Sequence, residues 1–102
     1  MSARLNLKTR AETAGYTTEL GGARRDIDTY LASWRTYDGG WARRTVAVKW
    51  SANDARVTAL VIDGQPVSPA TRAAAEAAID ALDAAKRGST SLDHVSERKP
   101  RR

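Results

Sequence analysis

The sequence predicts an α+β domain with a short N-terminal helix, a four-stranded antiparallel meander, a long C-terminal helix packed on one sheet face, and a disordered basic tail. Three observations predict this class. Residues 68–88 are rich in alanine and carry capping residues at both ends. Residues 43–51 alternate apolar and polar side chains, as half-buried strands do. Asp38-Gly39 and Asn53-Asp54 separate extended segments and are typical of tight turns.

The size of the chain allows one modest core. It has 102 residues, of which 41% are hydrophobic, so we expect a single domain over residues 1–88 and a flexible tail over residues 89–102. The lack of cysteine excludes a disulfide framework and favours a reducing compartment. No apolar run is long enough to span a membrane, and residues 1–5 lack the apolar core of a secretion signal. We therefore expect a soluble, cytoplasmic protein with no membrane partner.

The first elements follow from local pattern. Leu7, Ala11 and Ala14 recur at helical spacing before Gly15, which predicts a helix over residues 5–14. The segments that follow are rich in β-branched and aromatic residues and end at turn residues. They predict strands over residues 16–20, 27–36, 43–51 and 56–62. Pro66 limits residues 65–67 to a short edge piece.

The alanine-rich segment predicts a helix over residues 68–88. Ser68 can cap its first turn, and Pro69 costs little at the first helical position. Gly88 can adopt the left-handed conformation that closes the last turn. An apolar stripe on this helix is expected to face the sheet, and it consists of Ala75, Ala78, Ile79 and Leu82.

The length of each turn decides which side chains share a sheet face. If Asn53-Asp54 is a two-residue turn, it sets the facing pairs Trp50–Val57, Val48–Ala59 and Val46–Val61. If Asp38-Gly39 is also a two-residue turn, the same apolar face receives Ile27, Thr29 and Leu31. We expect this face to receive the C-terminal helix.

These registers predict a second apolar face on the other side of the sheet. It would hold Tyr30, Ala32, Trp34, Ala47, Leu60 and Ile62, beside Arg43 and Lys49. Leaving large side chains of this kind in water forgoes roughly 1.5–3 kcal/mol each. Either the N-terminal helix covers this face through Leu5, Leu7 and Ala11, or a protein partner or nucleic acid does. A three-residue turn centred on Gly39 would instead move Tyr30 and Trp34 into the main core and Leu31 out of it.

The formal charge of +5 is concentrated near the C-terminus. Residues 1–69, 70–85 and 86–102 carry net charges of +3, −2 and +4. Such a tail can serve solubility alone or contact a polyanion. A nucleic-acid interface would use the basic residues Arg24, Arg25, Arg43, Arg44, Lys49, Arg98, Lys99, Arg101 and Arg102, with aromatic rings stacked on bases.

Side chains suited to catalysis are scarce. His94 is the single histidine and falls in the predicted tail, so no catalytic triad can form. Asp26 and Asp28 could share a metal, but the sequence offers no third ligand beside them. A metal-dependent nuclease needs a carboxylate two positions before its lysine, where Lys49 has Ala47. The glycine pairs do not open a capped helix and form no phosphate cradle. We predict no catalytic residue, metal or cofactor, and infer no small-molecule substrate.

A helix, three long strands and an alanine-rich last helix resemble the order of elements in double-stranded RNA-binding domains. The run Ala-Ala-Ala-Glu-Ala-Ala over residues 73–78 is similar to the alanine core of that family's last helix, and the likeness covers residues 5–86. That family's helix opens with adjacent lysines that bind phosphate, whereas this helix opens Ser68-Pro69-Ala70-Thr71 and offers Arg72 as its one early basic residue. The resemblance therefore implies a fold, without the residues for phosphate binding at this helix.

Taken as a whole, the residues predict a non-catalytic module that binds a protein partner, or a second copy of itself, through the second apolar face and the Trp41 hairpin tip. The predicted contact residues are Tyr30, Trp34, Trp41, Arg43, Lys49, Leu60 and Ile62. Trp41 could instead fold back over its own hairpin. The alternative is a protein that binds RNA or DNA through the basic residues above. Alanine- and arginine-rich composition with short glycine turns is also typical of small accessory or phage-type reading frames from GC-rich DNA.

Overall fold

The computed structural model describes residues 2–19 and 25–90, which form an α+β fold with a five-stranded antiparallel sheet. The elements are α1 (Ala3–Ala14), β1 (Thr17–Glu19), β2 (Ile27–Arg35), β3 (Trp41–Trp50), β4 (Val57–Ile62), β5 (Gln65–Pro66), α2 (Arg72–Asp80) and α3 (Leu82–Thr90). The strand order β1-β2-β3-β4-β5 is a meander. The predicted class and connectivity are confirmed, with the short edge piece as a fifth strand. Arg24 and the predicted tail beyond Thr90 lie outside the described residues.

Helix α1 begins and ends at capping residues. Ser2 Oγ accepts a hydrogen bond from the Leu5 backbone N–H at 3.1 Å. Gly15 has a φ of +112°, a left-handed conformation that glycine adopts without steric cost, and its N–H bonds the Ala11 carbonyl at 3.1 Å. Leu7 and Ala11 are buried, so the predicted apolar stripe of this helix is confirmed.

The core lies on one face of the sheet, beneath both helical regions. It is formed by Leu7, Ala11, Tyr16, Tyr30, Ala32, Val46, Val48, Trp50, Leu60, Ala75, Ala78, Ile79 and Leu82. Helix α1 packs beside α2 on this face, so it does not cover the opposite one. The described helices therefore leave the other sheet face open.

The loop between β2 and β3 differs from the predicted two-residue turn. Gly39 N donates to Thr36 O at 3.0 Å and Thr36 N donates to Gly40 O at 3.0 Å, which encloses a three-residue loop. Gly39 has a φ of +86°. This is the hairpin loop in which a type I turn precedes a left-handed residue, and Asp38-Gly39 fills its last two positions. The prediction of a two-residue turn is wrong because the Asp-Gly signal suits both loop lengths.

The one-residue difference in loop length reverses which face of β2 is directed to the core. Tyr30 pairs with Val46 and Leu31 with Thr45, so the even-numbered residues of β2 lie on the core face. Tyr30 is fully buried, whereas Leu31 is 37% exposed on the open face. The predicted placement of Leu31 in the core and of Tyr30 and Trp34 outside it is therefore wrong.

A β-bulge likewise reverses which residues of β4 face the core. Trp50 pairs with Val57 as predicted, but the register shifts between Lys49 and Trp50. Thr58 is the extra residue of this β-bulge, and its hydroxyl donates to the Lys49 carbonyl at 3.3 Å. An unpaired residue of this kind reverses the face of every residue that follows it in the strand.

Beyond the bulge, the facing pairs are Val48–Leu60, Ala47–Val61 and Val46–Ile62. Leu60 is consequently buried in the core, and Val61 moves to the open face. The predicted pairs Val48–Ala59 and Val46–Val61 are wrong. The bulge gives no sequence signal as strong as a turn residue, because Thr is as common in regular strands.

The C-terminal helix starts later than predicted and is bent. Thr71, not Ser68, is its N-cap, since Thr71 Oγ1 accepts a hydrogen bond from Ala74 N at 3.1 Å. With this hydroxyl serving the first turn, Ser68 remains in the preceding loop. The helix turns at Ala81, and α3 continues past the predicted end at Gly88. The predicted apolar stripe is confirmed in α2 and at the start of α3.

A buried ion pair fastens α1 to the sheet. Asp28 is fully buried, and Arg4 donates to its two carboxylate oxygens from Nε at 2.7 Å and Nη2 at 2.5 Å. Arg4 Nη1 also donates to Asp54 Oδ1 at 3.0 Å. The hydrogen bond to Asp28 is the main reason that the pKa of Arg4 is raised above its ordinary value. Asp28, one of the two carboxylates weighed above as a metal pair, thus binds a guanidinium.

Within the described residues, none of the helices combines the length and the apolar composition that crossing a bilayer requires.

Candidate binding surface

The predicted contact residues are divided between the core and the surface. Tyr30 and Leu60 are 0% and 2% exposed, so neither can touch a partner. Trp34 and Ile62 are half-buried against the core on the same face. The predicted second apolar face is therefore an error of register: Tyr30 and Leu60 belong to the core, and Trp34 and Ile62 pack against it. Of the predicted set, Trp41, Arg43 and Lys49 remain on the open face.

Strands β2 and β3 continue beyond their neighbours. β1 reaches Leu31 of β2, and β4 reaches Val46 of β3. Residues 32–44 consequently form a two-stranded hairpin, which we call the arm, flanked by no other strand of the described chain. At about 3.3 Å per residue, its paired strands project roughly 13 Å before the loop.

The tip of the arm carries an aromatic and cationic pair. Arg35 and Trp41 are directly paired across the strands, and the Arg35 guanidinium lies 5.1 Å from the centroid of the Trp41 ring. This distance is within the range of a cation–π interaction. Trp41 is 69% exposed and Tyr37 is 50% exposed. The ring is thus held by Arg35 while most of it faces solvent, and it does not fold back into the core.

The loop at the tip is held by its own hydrogen bonds. Asp38 Oδ1 accepts from the Gly40 backbone N–H at 3.1 Å and also from the Thr36 hydroxyl. The hydrogen bond from Thr36, followed by that from Gly40, lowers the pKa of Asp38 below its ordinary value. The carboxylate is therefore ionised at neutral pH and fixes the loop that presents Trp41.

Arg43 lies between two shallow depressions on the open face. One, of about 330 Å³, is lined by Ser33, Trp41, Ala42 and Arg43. The other, of about 360 Å³, is lined by Arg43, Thr45, Asp63 and Gly64. Arg43 is exposed and forms no ion pair with any residue of the described chain. Its guanidinium is therefore available to a carboxylate or phosphate from another molecule.

The other predicted basic residues are less available. Arg44 points to the core side, where it contacts the Ala78 carbonyl at 3.4 Å and Asp63 at 3.3 Å. Lys49 lies 3.9 Å from Asp26. Arg25 is exposed, and its carbonyl accepts a hydrogen bond from Arg4. The rest of the predicted nucleic-acid set, Arg24, Arg98, Lys99, Arg101 and Arg102, lies outside the described residues.

A band of small and apolar side chains continues from the arm along the open face. It consists of Ile27, Thr29, Leu31, Thr45, Ala47, Ala59 and Val61, and all but Leu31 are half-buried. Leu31, Arg35 and Tyr37 are also exposed, and the sequence did not predict them as contact residues. A three-residue turn centred on Gly39 predicts Arg35 opposite Arg43, whereas the observed loop over residues 37–39 pairs Arg35 with Trp41.

No three described His, Asp or Glu side chains are grouped as a metal site would require. Models of known protein families, curated proteins and solved structures give no match to this chain. The arm and the open face are therefore the features from which its function must be inferred.

Proposed function

We propose that this protein is a non-catalytic binding module that engages a protein partner, or a second copy of itself, through the arm and the adjoining open sheet face. The observation that supports this most strongly is the 69% exposure of Trp41 on a hydrogen-bonded hairpin. Trp, Tyr and Arg are the residues that most often dominate the energy of protein interfaces. The arm tip brings one Trp, one Tyr and Arg35 together.

The arm is ordered before it binds, which favours affinity. A ring that is already stacked on Arg35, in a loop closed by Asp38, loses little conformational freedom on contact. The band around Leu31 supplies the apolar area that a larger interface needs. The lack of cysteine favours a reducing compartment, and we propose a cytoplasmic location on that ground.

Site-specific photo-crosslinking tests this function. Benzoylphenylalanine replaces Trp41 at the arm tip or Ala73, an exposed residue of α2, in the cells that express the chain. We expect discrete crosslinked species at position 41 and few at position 73. Light scattering of the purified protein then shows whether the partner is a second copy. Equal crosslinking at both positions, with a monomer that Trp41→Ala does not alter, would contradict the proposal.

Nucleic-acid binding is the second candidate, favoured by Arg35 and Arg43 beside an exposed indole on the same arm. A two-stranded β-ribbon fits the DNA major groove, and exposed rings stack on unpaired bases. Fluorescence anisotropy with a labelled duplex and a labelled single strand tests it at low and physiological salt. Affinity that falls steeply with salt and is lost in Arg43→Glu would support it. Lack of binding at low salt would exclude it.

A further inference from the structure

We propose that the outer edge of β3 in the arm accepts an extended peptide strand from a partner protein, with an acidic side chain of that strand opposite Arg43. This inference rests on the proposed function and names the kind of partner. The site consists of the backbone groups of Trp41 and Arg43 together with their side chains.

Hydrogen-bond alternation shows which backbone groups of β3 point outward. Thr36 N donates to Gly40 O at 3.0 Å, and at the other end of the hairpin Trp50 N donates to Asp26 O at 2.8 Å. Since hydrogen-bonded pairs alternate along an antiparallel ladder, the even-numbered residues of β3 bond to β2. The N–H and C=O groups of Trp41 and Arg43 therefore point away from β2.

Asp63 marks the point at which this edge becomes free. Its backbone N–H donates to Thr45 O at 2.9 Å, and its Oδ1 accepts from Thr45 N at 3.0 Å. These bonds end the ladder of β3 with β4, because the chain reverses at Asp63 and Gly64 into β5. No strand of the described chain pairs with the outward groups of Arg43 and Trp41. Unpaired strand edges of this kind are templates for strand addition.

The side chains at the edge determine the chemistry of the partner. Trp41 and Arg43 lie two residues apart and so project from the same face. Arg43 lacks an ion pair within the described chain, whereas Arg44 is already 3.3 Å from Asp63. A strand that carries a carboxylate opposite Arg43 and an apolar side chain two residues away, opposite Trp41, would complement both.

The short edge favours a peptide over a second copy. The free edge offers four backbone groups, from two residues. A second copy held by this edge would bury far less than the roughly 1,600 Å² that stable protein interfaces usually bury. Antiparallel pairing of two such edges would also set Arg43 against Trp41 or Arg43 of the other copy, which leaves the guanidinium without a carboxylate. An acidic peptide, in contrast, places a carboxylate opposite the Arg43 guanidinium.

A peptide selection provides the test. A phage-displayed library of random nine-residue peptides is selected against the full chain, and the most enriched sequence is synthesised with a fluorescent label. We expect enrichment of sequences with Asp or Glu two positions from an apolar residue. Binding is then measured by anisotropy for wild type, Arg43→Ala and Arg43→Pro.

The two variants separate the side chain from the backbone. Arg43→Ala removes the charge and should weaken binding about threefold. Arg43→Pro also removes the outward N–H while sparing the bonds to β2, and proline is tolerated at such edge positions. It should weaken binding about a further tenfold. Hydrogen exchange of wild type provides a readout that does not depend on the folding of either variant. The amides of Trp41 and Arg43 should exchange rapidly in the free protein and slowly with the peptide bound.

Several outcomes would overturn the inference. They are a selection without enriched acidic sequences, equal binding by Arg43→Ala and Arg43→Pro, or unchanged exchange of the two amides in wild type. Slow exchange of these amides in a dimer without peptide would show that a second copy is the occupant. Crosslinking at position 41 with a failed selection would overturn strand addition and leave the proposed function standing, whereas loss of both would overturn both.

Discussion

Two tryptophans at opposite ends of β3 differ sharply in solvent exposure. Trp50 is 2% exposed and lies in the core under the helices, whereas Trp41 is 69% exposed at the end of the arm. They differ in parity along the strand. Among the described strands, Trp41 pairs with β2 alone, whereas Trp50 pairs with β4 and lies in the core with residues of the helices. The same residue type therefore stabilises the fold at one end and is available for binding at the other. Position in the sheet, rather than residue type, decides which role a tryptophan takes.

The largest expected effect is on stability, from truncating the two rings in turn. Trp50→Ala removes a large buried side chain and should lower the free energy of unfolding by about 3–5 kcal/mol. Trp41→Ala loses mainly the exposed stack with Arg35 and should cost less than about 1 kcal/mol. Urea denaturation followed by circular dichroism measures both. Similar losses for the two variants would show that the arm is part of the cooperative core.

A second comparison separates buried from exposed ion pairs on α1. Arg4→Ala leaves the fully buried Asp28 carboxylate without its guanidinium and should destabilise the fold by about 3 kcal/mol. Arg10 pairs with Asp80 at 2.6 Å on the surface, and Arg10→Ala is the matched control. Its denaturation midpoint should stay near that of wild type, because water and salt screen an exposed pair. Equal shifts in the two midpoints would mean that the buried Arg4–Asp28 pair contributes no more to stability than the exposed Arg10–Asp80 pair.

Alkaline pH should weaken the core. Burial raises the pKa of Tyr30 above its ordinary value near 10, with a further increase from Asp28. Above pH 10 the unfolded chain therefore loses a proton that the folded protein retains. The free energy of unfolding should fall as pH rises, by up to about 1.4 kcal/mol per pH unit for this one group.

Tyr30→Phe tests this because it removes the titrating group and keeps the ring. The buried Tyr30 hydroxyl has no hydrogen-bond partner among the described residues, so stability at pH 7 should change little. Denaturation series between pH 8 and 11 should show a smaller decline in Tyr30→Phe than in wild type. Trp41→Ala, altered in the arm, should keep the wild-type decline. A decline of the same size in Tyr30→Phe would assign the alkaline sensitivity to other groups, among them Tyr16, whose pKa burial also raises.

The parts of the fold that could be predicted depend on local chemistry. Helix α1 with Gly15, the apolar stripe of α2, and the approximate bounds of all strands follow from patterns within a few residues. The facing of Trp50 and Val57 was also predictable, since it depends on the adjacent turn. Trp41 and Arg43 were found as surface candidates because they flank a hairpin loop rich in glycine.

The errors came from two single-residue differences. A three-residue loop in place of a two-residue turn reversed the faces of β2, and the bulge at Thr58 reversed those of β4. Each difference moved large residues such as Tyr30 and Leu60 into the core. The two reversals together converted an apparent second apolar face into the single core that the helices cover.

By itself, the sequence determined where helices and strands form, because capping, periodicity and turn residues act over short distances. Only the tertiary structure decided which face of each strand is buried, since a side-chain period of two makes that choice depend on one residue in a loop or bulge. It also decided that β2 and β3 extend past their neighbours, because the length of an unpaired edge depends on where other strands stop. The candidate binding surface is the product of those long-range choices.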